Sequence, residues 1–404
     1  MKKYLQKAII LLFYGIVELF NHIGLALDNI FYPSYRGVII KSPLFVVSMP
    51  RTGTTWLQNV LCADREQITS MKLWEMLYAP SIIQKKFFLF LSKTDKSFNC
   101  FLGRRLRRLD LYLFRDYNPI HPSSFFGYED DDLVLLHIFS NLFLIFFFPG
   151  LKLYDFLMRF DQSADEKRKK KIMTFYRKCI QKHLYVFGKD KIYFSKSASH
   201  IPKMHSLQQT FPDGCFIYTA RFPEQVVPSA ISLYIRFSEI FHTPVELKTI
   251  TERTLRTSDY LFSYPLEVFK SWPGNRYFVN LYDDLVENIE REVKRMYDHF
   301  GIPLSDKFSL FLAEERCRAQ SFKSAHVYDP EKWGLPAKEI RSRYNEAFEQ
   351  YSRLVSREAG SGKRETGSGK REAGSGKRET GSGKREAGSG KRETGSGNPE
   401  PRCV

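Results

Sequence analysis

The six cysteines of this 404-residue chain (Cys62, Cys100, Cys179, Cys215, Cys317 and Cys403) include no CxxC pair, and no Cys/His grouping has zinc-site spacing. Zinc ribbons and dithiol redox motifs are thereby excluded. The thiols read as buried or idle groups of a reducing compartment, which places the chain in the cytoplasm. Long apolar runs are also missing. Residues 8–17 (AIILLFYGIV) follow three lysines and superficially resemble a secretion signal. Glu18, Asn21 and His22 follow, without a small-residue cleavage site, and the run is too short to span a bilayer. Residues 1–40 read as an amphipathic or buried helical segment, with membrane association as the other reading. Leu133–Phe148 is broken by His137, Ser140 and Asn141, so a core or groove-lining helix is expected there.

An acidic excess is absent as well. The formal net charge is +17, of which +5 comes from the 12 basic and 7 acidic residues after Val355 and Ser356. A basic surface suits a polyanionic small molecule, a nucleic acid or an anionic membrane, and charge alone does not rank the three. From Arg357 the units REAGSGK and RETGSGK repeat every seven residues without apolar a and d positions. Gly and Ser in every unit oppose a stable helix, so residues 356–404 are expected to form a disordered, linker-like tail. Its GSGK units lack the preceding strand and following helix of a nucleotide loop.

The rest is rich in apolar residues and alternates in type. Pro43–Met49, Lys191–Ser195, Cys215–Ala220 and Tyr277–Tyr282 are strand candidates. Helices are expected over 54–63, around 202–210, over 223–237, and over 285–300 ending at Gly301 with Pro303 beyond. Strand, turn, helix, strand predicts an α/β fold: a central parallel sheet flanked by helices in three layers, spanning 41–355. Residues 64–190 form a largely helical insertion, and ligands in such folds bind at the carboxyl ends of the strands.

The first strand runs into Pro50-Arg51-Thr52-Gly53-Thr54-Thr55-Trp56-Leu57. A Gly- and Thr-rich turn that opens a helix is an anion cradle, because the first helical amides have no helical acceptor. Gly53 permits close backbone approach, Thr52, Thr54 and Thr55 add hydroxyls, and Arg51 adds a fixed positive fork. The Gly-Lys-Ser/Thr of a Walker loop is absent, which argues against a magnesium-dependent ATPase.

This octapeptide resembles the 5′-phosphosulfate loop of the sulfotransferase superfamily, and Arg51 resembles the bacterial-type and tyrosylprotein branches. Phe194-Ser195-Lys196-Ser197 through His200, Phe211-Pro212-Asp213, Arg221-Phe222-Pro223 and Ser229 are similar to downstream blocks of that family in order and spacing. Leu281-Tyr282-Asp283-Asp284 and Lys323–Tyr328 followed by Trp333-Gly334-Leu335 extend the likeness over about residues 43–352. One departure stands out: the family's Asp after the Arg is Phe222 here, which puts local geometry in doubt.

The resemblance implies a P-loop-like fold and transfer of a sulfuryl group from 3′-phosphoadenosine 5′-phosphosulfate to a hydroxyl of a glycan, lipid, peptide or small alcohol. It implies donor binding by Arg51, Thr52, Gly53, Thr54, Thr55, Trp56 and Lys323, with Arg221 and Ser229 on the 3′-phosphate. It further implies Arg51 and Lys196 as charge-neutralising catalytic groups. Glu75, 20 residues after Thr55, is the expected base, its pKa raised by Trp74, Met76 and Leu77; His121 is the alternative base. No metal is required and no nucleic-acid partner is implied, while peripheral membrane contact stays open. The acidic run Glu129–Asp132 reads as a helix N-terminal cap. Rival readings are a nucleotide kinase and a non-catalytic membrane- or polyanion-binding protein with a degenerate fold of this kind.

Overall fold

The computed structural model describes residues 2–115, 117–118, 122–147, 153–240, 245–321 and 335–361. Strand β1 (Leu44–Val46) is wholly buried. Strand side chains alternate in direction, and here that alternation builds two layers. Phe45 enters one apolar cluster with Phe216, Tyr218 and Val279, whereas Leu44 and Val46 enter another with Ile217 and Phe278.

The sheet is completed by β2 (Ile68–Thr69), β3 (Ile192–Lys196), β4 (Cys215–Ala220) and β5 (Tyr277–Leu281), in the order β2-β3-β1-β4-β5 with every pairing parallel. Helices Glu166–Phe187, Met204–Thr210, Pro223–Ile240, Leu247–Ser271 and Ala337–Ser361 cover the Phe45 face. Helices Thr54–Leu61, Ile289–Phe300 and Asp306–Ser321 cover the Leu44 face. This is the expected three-layer α/β fold.

Register decides what meets at the top of the sheet. Val46 pairs with Lys196 and with Ile217, so the loop after β1 emerges beside the end of β3. Ala220 pairs with Leu281, which sets Arg221 beside Tyr282.

Four differences from the sequence expectation have local causes. β2 is a two-residue strand, too short to show alternation. The helix expected over 285–300 is two helices, Tyr282–Glu287 and Ile289–Phe300, because Asn288 caps the second through its Oδ1 on the Arg291 amide. Leu133–Phe148 is not one helix: a 3-10 helix, Asp131–Ile138, ends at Phe139 with φ 53°, and a short helix follows at Leu144–Phe147. The helix Ala337–Ser361 continues into the first repeat unit of the tail.

The N-terminal segment is one helix, α1 (Lys2–Phe31), much longer than its apolar run. Among the described residues, no helix is long and apolar enough to cross a membrane.

Candidate active site

The loop after β1 is built on two left-handed residues, Arg51 at φ 70° and Gly53 at φ 78°. Between them, Thr52 is buried and its Oγ1 donates to the Met49 carbonyl at 2.8 Å. Helix α2 (Thr54–Leu61) then starts with the Leu57 amide donating to Gly53 O. Gly53 is required twice over. Its φ is unfavourable for residues with a side chain, and a Cβ there would sit 2.8 Å from Tyr282 Cε2. The Tyr282 ring therefore lies on the loop backbone. The Arg221 guanidinium packs over the same ring, 4.1 Å from its centre.

Arg221 and Ser229 come together with this loop. Arg221 Nη1 donates to the Arg51 carbonyl at 2.7 Å, and its Nε donates to Gln225 Oε1 at 2.9 Å. Arg51 Nε donates to Ser229 Oγ at 2.8 Å. The departure at Phe222 is absorbed by packing: its ring lies 4.6 Å from that of Phe348 on the helix Ala337–Ser361. Arg221 thus keeps its place at the end of β4.

Lys196, the last residue of β3, is buried and ion-paired to Asp130. Burial pulls its ammonium pKa down, but Asp130 and Glu129 outweigh burial and raise it above the ordinary lysine range. The acidic run Glu129–Asp132 does more than cap a helix. Asp131 accepts from the hydroxyls of Tyr176, Tyr193 and Ser195 and lies 3.1 Å from His200 Nε2. Asp132 accepts from Ser197 Oγ and Asn141 Nδ2. These carboxylates pin the insertion to β3, a role sequence reasoning missed. The visible signal was the matching polar run Ser195-Lys196-Ser197 with His200 on an otherwise apolar background.

Glu75 has a different environment from the one its apolar neighbours suggested. Its helix α3 (Leu73–Tyr78) turns the carboxylate inward, where it is 2% exposed. Oε2 lies 2.8 Å from His183 Nδ1 and 3.9 Å from Lys85 Nζ, and Oε1 accepts from the Lys72 amide at 3.1 Å. Burial alone would push the carboxyl up; His183, Lys85 and the Lys72 amide outweigh it and hold it below the usual carboxylate range. A base with a raised pKa is not what the structure places here. Two donor-site expectations change similarly: the Thr52 hydroxyl is spent on the loop itself, and Trp56 Nε1 donates to Glu315 at 2.9 Å. His121 and Lys323 lie outside the described residues.

One cavity of about 850 Å³ joins these parts. Its polar end is lined by Arg51, Gly53, Thr54, Thr55, Lys196 and Arg221, with Glu129 and Asp130 beside them. The remainder is mostly apolar, walled by residues such as Leu77, Leu136, Phe143, Leu233 and Phe237, with Asn141, Thr254 and Ser258 among them. The expected groove-lining stretch after Leu133 does line it. Among the described residues, no three His, Cys, Asp or Glu side chains are grouped to hold a metal ion.

A parallel sheet whose first strand opens into an anion cradle, with a second arginine and a serine closing on it, defines a P-loop-like α/β protein. Residues 150–306 match the family described as Sulfotransferase family. The chain is 24% identical over 268 residues to an omega-hydroxy-beta-dihydromenaquinone-9 sulfotransferase, Stf3, of Mycobacterium bovis and of Mycobacterium tuberculosis. That match covers 66% of this chain and spans 64% of the relatives' length. The fold is similar to that of sulfotransferase STF9 from Mycobacterium avium (TM-score 0.65, 17% identity, 81% of each chain). It is also similar to sulfotransferase STF1 from Mycobacterium tuberculosis (TM-score 0.61, 20% identity, 81% of this chain and 83% of that one). These likenesses support a relationship to the sulfotransferase family.

Proposed function

We propose that this chain transfers a sulfuryl group from 3′-phosphoadenosine 5′-phosphosulfate to the hydroxyl of an apolar acceptor. The observation that carries the reading is one cavity, with Arg51, Lys196 and Arg221 at one end and a mostly apolar chamber at the other. What supports the donor at this end is that Arg51, Arg221 and Ser229 converge within hydrogen-bond distances beside the loop. The apolar chamber supports a lipid-like alcohol over a glycan, in line with the hydroxylated menaquinone acted on by the Stf3 relatives.

In such a transfer the acceptor oxygen attacks sulfur as the bond to the 5′-phosphate oxygen breaks, and negative charge gathers on the leaving phosphate. Arg51, the first amides of α2 and the Lys196 ammonium are the groups suited to meet that charge. The acceptor proton needs a base. Asp130 is engaged with Lys196, and both Asp132 oxygens accept hydrogen bonds. We assign the proton to Glu129, which lines the same cavity and itself accepts from Ser123 Oγ.

Titration with adenosine 3′,5′-bisphosphate tests the donor site. Wild type is expected to bind, and Arg221→Ala to bind at least about tenfold more weakly. Equal binding by both overturns the assignment and returns the non-catalytic reading. With labelled donor and a long-chain alcohol, Glu129→Gln is expected to abolish turnover and keep nucleotide binding; unchanged turnover moves the base elsewhere.

A further inference from the structure

Three helices on one side of the cavity leave their apolar faces in solvent. Helix α4 (Ile82–Ser97) packs against both α1 and α5 (Phe101–Phe114). On α5, Leu102, Leu106, Leu109 and Leu113 recur at four, three and four residues and are 42–53% exposed. On α1, Leu12, Ile16, Leu19 and Ile23 recur at the same spacing and are 47–69% exposed. Helix α4 adds a run of four exposed apolar residues, Phe87 to Phe90. A stripe at this spacing ordinarily faces a core. Single exposed leucines need no explanation, whereas adjoining stripes mark an interaction surface.

The charges around them select the partner. Residues 82–115 hold nine Lys or Arg and two acidic residues. Both acids are engaged within the fold: Asp95 accepts from the Leu102 and Gly103 amides, and Asp110 from Ser124 Oγ and the Phe125 amide. Arg104, Arg105 and Arg108 are exposed on the same helix as the leucine stripe. A second copy of the chain would set positive against positive. A layer of anionic headgroups over acyl chains complements both the arginines and the leucines.

The surface is continuous with the cavity. Leu113, last of the α5 stripe, is both exposed and a cavity-lining residue, and Tyr14 of α1 lines the cavity while donating to the Leu136 carbonyl at 3.3 Å.

We propose that the α1–α4–α5 face docks on an anionic lipid bilayer, so that a hydroxylated apolar acceptor passes from the leaflet past Leu113 into the cavity. Docking stands on the surface alone; the acceptor's route rests on the sulfuryl-transfer reading.

The test is co-sedimentation of the full chain with phosphatidylcholine vesicles, with and without phosphatidylglycerol. Wild type is expected to bind the anionic vesicles at least about tenfold more tightly than the neutral ones. Leu106→Glu with Leu109→Glu, and separately Arg104→Gln with Arg105→Gln and Arg108→Gln, are each expected to lose about tenfold or more. Unchanged affinity for adenosine 3′,5′-bisphosphate shows that the variants are folded. Equal binding to both vesicle types, or variants that bind like wild type, overturns the proposal. So does a wild-type dimer by light scattering that the leucine variant dissociates, since the face then belongs to a second copy. Vesicle binding that follows expectation in a chain that never consumes labelled donor supports docking and sinks the transfer reading instead.

Discussion

Arg51 Nε donates to Ser229 Oγ at 2.8 Å across 178 residues of chain. This bond ties the loop after β1 to the helix after β4. Arg221 reinforces it through the Arg51 carbonyl, and Tyr282 lies beneath Arg221 and against Gly53. The cradle is therefore a set of mutual contacts from three strand ends rather than a loop acting alone.

Gly53→Ala tests that coupling. The methyl group meets Tyr282 at 2.8 Å and the backbone stays left-handed, a conformation that costs a non-glycine residue about 1–2 kcal/mol. Displacing Tyr282 also displaces Arg221. Calorimetry is expected to show affinity for adenosine 3′,5′-bisphosphate reduced by about tenfold or more. Affinity like that of wild type would show that Tyr282 yields without moving Arg221.

Lys196→Met is expected to lower turnover by about 10²–10³-fold, the usual loss for one preorganised charge donor, with little change in bisphosphate affinity. Asp130→Asn should act through the same ammonium. In the wild type Asp130 and Glu129 lift the Lys196 pKa against burial. Without the Asp130 charge, burial gains, the ammonium loses its proton at lower pH, and the alkaline limb of the rate profile moves toward neutrality. An unmoved limb in Asp130→Asn would separate the two residues functionally.

Glu75→Gln is expected to damage stability before chemistry. It removes one partner from a buried group with His183 and Lys85, a change that costs about 3–5 kcal/mol. The sign of the pH dependence follows from the depressed Glu75 pKa. Its stabilising contribution is present above the unfolded carboxyl value of about 4.3 and is lost as pH falls through the folded value. Thermal unfolding should show wild type losing stability on acidification more steeply than the variant. Full stability with abolished turnover would return Glu75 to the role of base.

Much of the candidate site was legible in the residues themselves. Arg51, Gly53, Lys196, Arg221 and Ser229 each sit at a strand end or on the helix that follows, and strand–turn–helix order is a local pattern. Cys215–Ala220 is a strand over the very residues whose apolar and aromatic character marked it. The sheet order was not legible, since β2 contributes two residues and its pairing with β3 is 124 residues away by Ile68 and Ile192.

Side-chain partnership separates the two kinds of knowledge. Local sequence determined that a Gly- and Thr-rich turn after a strand opens on a helix. Only the tertiary structure decided that Glu75 faces His183 and Lys85, that Thr52 serves its own loop, that Asp130 meets Lys196 and that the α5 leucines remain in solvent. The physical reason is range. Backbone geometry at a turn follows from neighbouring residues, whereas the partner of a buried charge is chosen by the packing of segments far apart in the chain, where desolvation makes each pairing decisive.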